Sequence, residues 1–199
     1  MRKNILMAAI AASLITVPTT VSAQRLPATV VAVVDTGKIY SDCTACAAAR
    51  TQLQSQATAL QTRQKTLTDQ LRPEGQQLST AVNALNGKQP DAALQARIKA
   101  FQDKEQAANQ ELQQGQQRLQ STQANILRQI NERLNPIINQ AMTARGANVA
   151  MDVDATLAHA ATVNITADVL ARLNAALPSV SATPLPQQQQ QQQQQPQGR

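Results

Sequence analysis

The chain has no tryptophan, and in 199 residues it holds one tyrosine, Tyr40, one phenylalanine, Phe101, one histidine and two cysteines. Large rings supply the biggest buried areas per residue, so their near absence excludes a large aromatic-anchored core. It also removes the stacking platforms on which single-stranded nucleic acid is held. Two thiols and one distant His159 fall short of an ordinary zinc site, so no metal is expected. No Gly-rich phosphate loop, Ser/His/Asp set or paired carboxylates stand where a fold could use them, and the reading is of a protein that is not an enzyme and takes no cofactor. Hydrophobic residues make up 42% of the chain, but much of that is alanine. A small packed body joined to a long thin element fits such a composition, with oligomerisation supplying the missing burial.

The thin element is legible from Cys43 to Arg145. Leu53, Ala57, Leu60, Gln64, Leu67, Leu71, Glu74, Leu78, Ala81 and Leu85 keep alternating steps of four and three residues, a coiled-coil seam. The stripe is narrow, so this helix needs a partner. Leu94, Ile98, Phe101, Ala108, Leu112 and Leu119 supply one, and Leu127, Ile130, Leu134, Ile137 and Ala141 resume it after a slip of register near 122–127, a stutter. Asn86-Gly87 favours left-handed backbone and Pro90 cannot continue a preceding helix, which puts the hairpin tip near 86–91. An arm of about 65 Å results at ~1.5 Å per residue. Arg72-Pro73-Glu74-Gly75 interrupts the pattern without changing its register and predicts a kink, and Pro136 predicts a bend near the body.

At the N-terminus, Arg2 and Lys3 precede an apolar run from Ile5 to Val17, and Val21-Ser22-Ala23 has the small residues of a cleavage site. This reads as a secretory signal peptide, residues 1–23, with export across the inner membrane. The run is shorter than the ~20 residues that span a bilayer. Removing it lowers the formal charge from +6 to +4, sixteen basic residues against twelve acidic. The arm carries the excess, twelve Lys or Arg against seven Asp or Glu. Such a field attracts acidic chains and anionic membrane surfaces, although a solvated helical face has the same composition.

Residues 24–42 hold the first strand of the body, Ala28 to Asp35, with Ser41 or Asp42 as the cap of the helix that carries Cys43 and Cys46. After the arm, 43–146, Arg145-Gly146 ends the long helix. Residues 147–177 are read as two paired strands, 148–153 and 157–160, turning at Asp154-Ala155, with His159 a packing residue in the second. Thr166 is expected to cap a helix, 167–177, whose Val169, Leu170, Leu173 and Leu177 share one face. Asp152 and Asp154 read as turn-forming or hydrogen-bonded body residues. Residues 178–199, rich in Pro and ending in a run of nine Gln at 187–195, are expected to be disordered. The fold class is mainly α with a small β body (α+β): a long antiparallel coiled-coil hairpin projecting from that body.

Cys43-x-x-Cys46 at a helix start has the form of a redox motif, because the helix dipole lowers a thiol pKa. The surrounding βαβ context of thioredoxin-like proteins is missing, and a structural or intersubunit disulfide is the competing reading.

Val30-Val31-Ala32-Val33-Val34-Asp35, Asn148-Val149-Ala150-Met151-Asp152-Val153-Asp154 and Asn164-Ile165-Thr166-Ala167-Asp168-Val169-Leu170, in that order around a helical hairpin, resemble the OmpH/Skp family of periplasmic chaperones. Asn164 stands where an Asp is common, the Gln-rich tail is extra, and the Cys pair is no hallmark of the family. The resemblance implies a homotrimer whose arms surround an open cavity. It implies clients that are unfolded outer-membrane β-barrel proteins, held without ATP, and for such clients the candidate contacts are the arm cations toward the tip, Arg63, Lys65, Arg72, Lys88, Arg97, Lys99 and Lys104, with inward-facing apolar residues. A structural spacer of the cell envelope and a thiol-disulfide protein are the alternatives.

Overall fold

The computed structural model describes residues 27–185; the segment read as a signal peptide and the Gln run lie outside them. The order is β1 (Val31–Val34), α1 (Thr36–Asp42), α2 (Thr44–Asn83), α3 (Ala92–Ala144), β2 (Val149–Asp152) and α4 (Thr166–Ala176). It is a mostly helical molecule with a small two-stranded body.

β1 and β2 pair in parallel, Val31 opposite Val149 and Val34 opposite Asp152, so the entire helical hairpin is the crossover between them. Period-two alternation turns Ala32 and Val34 into the core, while Val149 and Met151 on the other face are more than a third exposed. On its far edge β1 receives Ile165 N–H at the Val33 carbonyl, 2.8 Å. The expected strand at 157–160 does not form. Residues 153–155 and 161–163 are single 3-10 turns, and Leu157 stands fully exposed. The stretch Leu157-Ala158-His159-Ala160 offers no β-branched residue to pack on a pleated surface. His159 is correspondingly exposed, its Nε2 3.2 Å from Asn164 Nδ2, and is not a packing residue.

Two helix starts also differ from expectation. Asp35 caps a short helix not foreseen, accepting from Lys38 N–H, and Cys43 rather than Ser41 or Asp42 is the N-cap of α2. Thr166 is the first residue of α4, not its cap; its hydroxyl accepts from Asp35 N–H at 2.8 Å, tying α4 to the end of β1. Val169 and Leu173 are fully buried as the helical spacing requires, with Leu177 nearly so.

The arm is a pair of antiparallel helices of 40 and 53 residues, about 60 and 80 Å long at ~1.5 Å per residue. Pro73 and Pro136 lie inside continuous helices. Between them Asn86 and Gly87 adopt φ of 48° and 87°, the left-handed turn that Asn and Gly tolerate. Asp91 caps α3 through Leu94 N–H, 2.8 Å. The seam of α3 runs through positions the apolar pattern alone hides: Gly115, where a Cβ would stand 2.5 Å from Leu60, and Thr122, fully buried. The stutter is the triple step of four from Thr122 through Ile126 and Ile130 to Leu134, all buried. Leu127, expected in the stripe, is 43% exposed, because Ile126 takes that place.

The core lies where arm meets body, uniting Ile39 of α1, Ile130, Leu134 and Ala141 of α3, and Ile165, Val169 and Leu173 around α4. The C-terminal segment joins it. Residues 178–185, expected to be disordered, lie along the arm base with Val180 and Ala182 packed on the core and Leu185 only 3% exposed. Pro and Ser composition concealed an apolar spacing that α3 accommodates.

Candidate functional site

The arm is fixed to the body at an elbow. Cys43 ends α1 and starts α2, and it is joined to Cys46 in a disulfide. Both are buried, so the redox-motif geometry holds no exposed thiol. Arg50 donates from Nη2 to the Tyr40 and Ser41 carbonyls at 3.0 and 3.1 Å, a cation on the negative end of α1. The Tyr40 hydroxyl donates to Asn131 of α3. Sequence reading placed the two cysteines but not this brace.

Of the seven candidate arm cations, five are paired. Arg63 makes a two-pronged bond to Glu111 across the helices, Nε to Oε1 at 2.6 Å and Nη2 to Oε2 at 2.9 Å. This bond holds the Glu111 carboxyl below its usual range and raises the guanidinium. Lys104 reaches Glu74 at 2.6 Å. Lys65 and Arg72 converge on Asp69 at 2.6 and 2.8 Å, and the Lys65 hydrogen bond is the main cause that lowers the Asp69 carboxyl. Lys99 meets Asp103 at 3.1 Å. Lys88 and Arg97 have no ion pair among the described residues. The half of the arm toward the tip, 67–108, holds five cations against five carboxylates, whereas 43–66 with 109–145 holds seven against two. The positive excess therefore sits toward the body, and the tip is neutral overall.

Next to the body, on the side of that excess, the C-terminal segment lies in a groove of the arm. Gln129 makes a reciprocal pair with Ser181, Nε2 to the carbonyl and N–H to Oε1, both 3.0 Å. Asn125 Nδ2 donates to the Thr183 carbonyl at 3.0 Å, Gln56 Nε2 to the Ala182 carbonyl at 2.9 Å, and Ser121 Oγ accepts from Leu185 N–H at 2.9 Å. Arg128 fixes the Asn125 amide by donating to its Oδ1 at 2.9 Å. Beyond Pro184 the groove continues toward the tip as an open cleft of about 410 Å³ between Leu60, Arg63, Gly115, Arg118 and Leu119. Only the four-residue spacing of Ser121, Asn125 and Gln129 could have suggested this contact in the sequence.

Among the described residues no cluster of His, Cys, Asp or Glu could hold a metal, and no helix is long and apolar enough to cross a membrane. The sequence model of a family described as outer membrane protein (OmpH-like) matches residues 30–173, the span from β1 through the arm to α4. The chain belongs to the OmpH-like family. No curated protein matches it. A crystal structure of an OmpH-like outer membrane chaperone from Caulobacter crescentus has the same fold, with a TM-score of 0.65 at 18% identity, covering 82% of this chain and 95% of that one. At that identity the likeness is one of fold. The OmpH-like match includes the elbow, both arm helices and the Gln129 groove, and it stops short of the strap at 180–185.

Proposed function

We propose that the protein is an ATP-independent periplasmic holdase that keeps unfolded outer-membrane β-barrel proteins from aggregating. The observation that carries this reading is the half-buried seam. Leu53, Leu60, Leu67, Leu71, Leu85, Leu94 and Ile98 remain partly exposed, so apolar edges run the length of a polar arm. Many weak contacts spread over such a surface hold an unfolded chain without ordering it, and the bound chain keeps much of its conformational entropy. The cations serve the same contacts. Lys88 and Arg97 have no ion pair among the described residues, while Arg63, Lys65, Arg72, Lys99 and Lys104 reach a client by exchanging exposed pairs that cost little to open.

Membership of the OmpH-like family supports the chaperone reading, and so does the fold shared with the Caulobacter crescentus chaperone. The Cys43–Cys46 disulfide favours an oxidising compartment such as the periplasm, in line with the signal peptide read at residues 1–23. A homotrimer is supported by the body. A two-stranded sheet is marginal alone, and this one shows Val149 and Met151 on its outer face and an edge of β2 that has no partner strand among the described residues. Three copies closing on those edges would bury both.

The test is light scattering after a urea-unfolded outer-membrane β-barrel is diluted into buffer with the chain 24–199 and no ATP. Suppression saturating near three chains per client is expected. Full aggregation beside a folded, helical protein would overturn the holdase reading and leave an envelope spacer.

A further inference from the structure

We propose that the arm-base groove is a binding site for an extended segment of unfolded client, and that the protein's own residues 180–185 occupy it as a competitor in cis. This deepens the holdase reading and rests on it.

The groove reads main chain. Among the described residues the hydrogen bonds that join Gln56, Ser121, Asn125 and Gln129 to the strap go to its peptide N–H or C=O groups, so the polar part of recognition does not depend on the strap's side chains, while Val180, Ala182 and Leu185 supply an apolar part. The spacing fits any extended peptide. Gln129, Asn125 and Ser121 stand four residues apart on α3, about 6 Å per step. Their partners Ser181, Thr183 and Leu185 stand two apart, about 6.6 Å per step in an extended chain. Over 180–183 the strap alternates as an extended chain does: Ser181 Oγ and Thr183 Oγ1 meet at 2.8 Å on one side, while Val180 and Ala182 pack against the core on the other; after the bend at Thr183, Pro184 is exposed and Leu185 turns inward.

An outer-membrane β-strand has the same grammar, apolar and polar residues alternating with a period of two over about ten residues. That is longer than the strap, and the groove is longer as well: the open cleft between Leu60, Gly115 and Leu119 takes up where Pro184 ends. Its rim has the Arg63–Glu111 pair and Arg118. A client strand entering from the tip side would fill the cleft first and then displace the strap residue by residue.

The experiment uses the chain 24–199 carrying Leu185→Asp, which places a carboxylate in the strap's buried anchor and leaves both helices untouched. The probe is a fluorescein-labelled peptide with the strap's own sequence, residues 178–190, read by anisotropy, with a urea-unfolded β-barrel as competitor. A strap closed nine-tenths of the time lowers apparent affinity tenfold, so release should tighten peptide binding about tenfold, and the barrel should compete. Gln129→Leu in the released background should return binding to the weak value. Release is verified by faster exchange of the Ser181 and Leu185 amides; if Leu185→Asp alone leaves them protected, Val180→Asp is added.

A released strap with unchanged peptide affinity, a barrel that does not compete for the groove, or tight binding that ignores Gln129→Leu overturns the proposal, while aggregation suppression by the unaltered chain keeps the holdase reading. Loss of suppression in both forms overturns the two together.

Discussion

Asp152 should be the most pH-sensitive fastening of the body. At the end of β2 it accepts the Thr36 hydroxyl and, at 3.4 Å, the Thr36 N–H, and through its other oxygen the Asp154 N–H at 3.0 Å. It thus joins β2 to the start of α1 across 116 residues of sequence. The Thr36 hydroxyl, then the Asp154 N–H, hold its carboxyl below the usual range. Asp152→Asn keeps the shape and removes the charge. Hydrogen bonds to a charged acceptor are worth about 1 kcal/mol more than neutral ones; for three bonds, discounted for partial exposure, the variant should lose ~2 kcal/mol at pH 7. With a urea slope near 2 kcal/mol/M, the midpoint falls by about 1 M. Because the folded pKa lies below the unfolded value of ~3.9, this stability is complete above about pH 5 and disappears as pH falls through the folded pKa. At about pH 2 the two proteins should melt alike. Urea titrations followed by helical circular dichroism, at one protein concentration, decide the matter. A gap of equal size at both pH values, or none at pH 7, would refute the account.

Other consequences are simpler to state. Leu134→Ala, at a position 2% exposed in the joint of arm and body, should cost about 3 kcal/mol in the same titration. Gly87→Ala, at φ +87°, should lower stability by roughly 1 kcal/mol through left-handed strain, and hydrogen exchange should localise the loosening to the arm tip. Arg63→Ala with Glu111→Ala, a nearly half-exposed pair, should change the melting temperature by no more than about 2 °C singly or together, and a large coupling in the double-mutant cycle would contradict a solvent-screened bond.

The parts that follow from periodicity were legible in the chain: the seam of α2, the turn at Asn86-Gly87, the β-branched run of β1 and the one-sided apolar face of α4. The parts that depend on a distant partner were not. Gly115 belongs to the seam only because Leu60 lies opposite, and neither it nor the buried Thr122 is apolar enough to register as seam. Asp35 looked like the end of a strand, although Ile39 and Cys43 at steps of four already outline the short helix it caps. Lys65 with Asp69 and Lys99 with Asp103 are readable as pairs four residues apart, whereas Arg63 with Glu111 and Lys104 with Glu74 require the antiparallel register. That register pairs Arg63 and Lys104 with carboxylates of the facing helix. The strap was hidden for the opposite reason, since Pro and Ser suggest a solvated chain unless side-chain amides elsewhere satisfy its peptide groups.

The elbow has a mechanical meaning. A rigid rod of about 60 Å turns each degree of tilt at its root into about 1 Å of travel at its end. Cys43 bonded to Cys46, Arg50 on the α1 carbonyls and Tyr40 on Asn131 all act within the first turns of that rod. They lie nearest its root and have the longest leverage. In the trimer proposed above, small substitutions there would set how wide the far ends stand apart, and therefore the size of what fits between them, without altering a single residue that touches it.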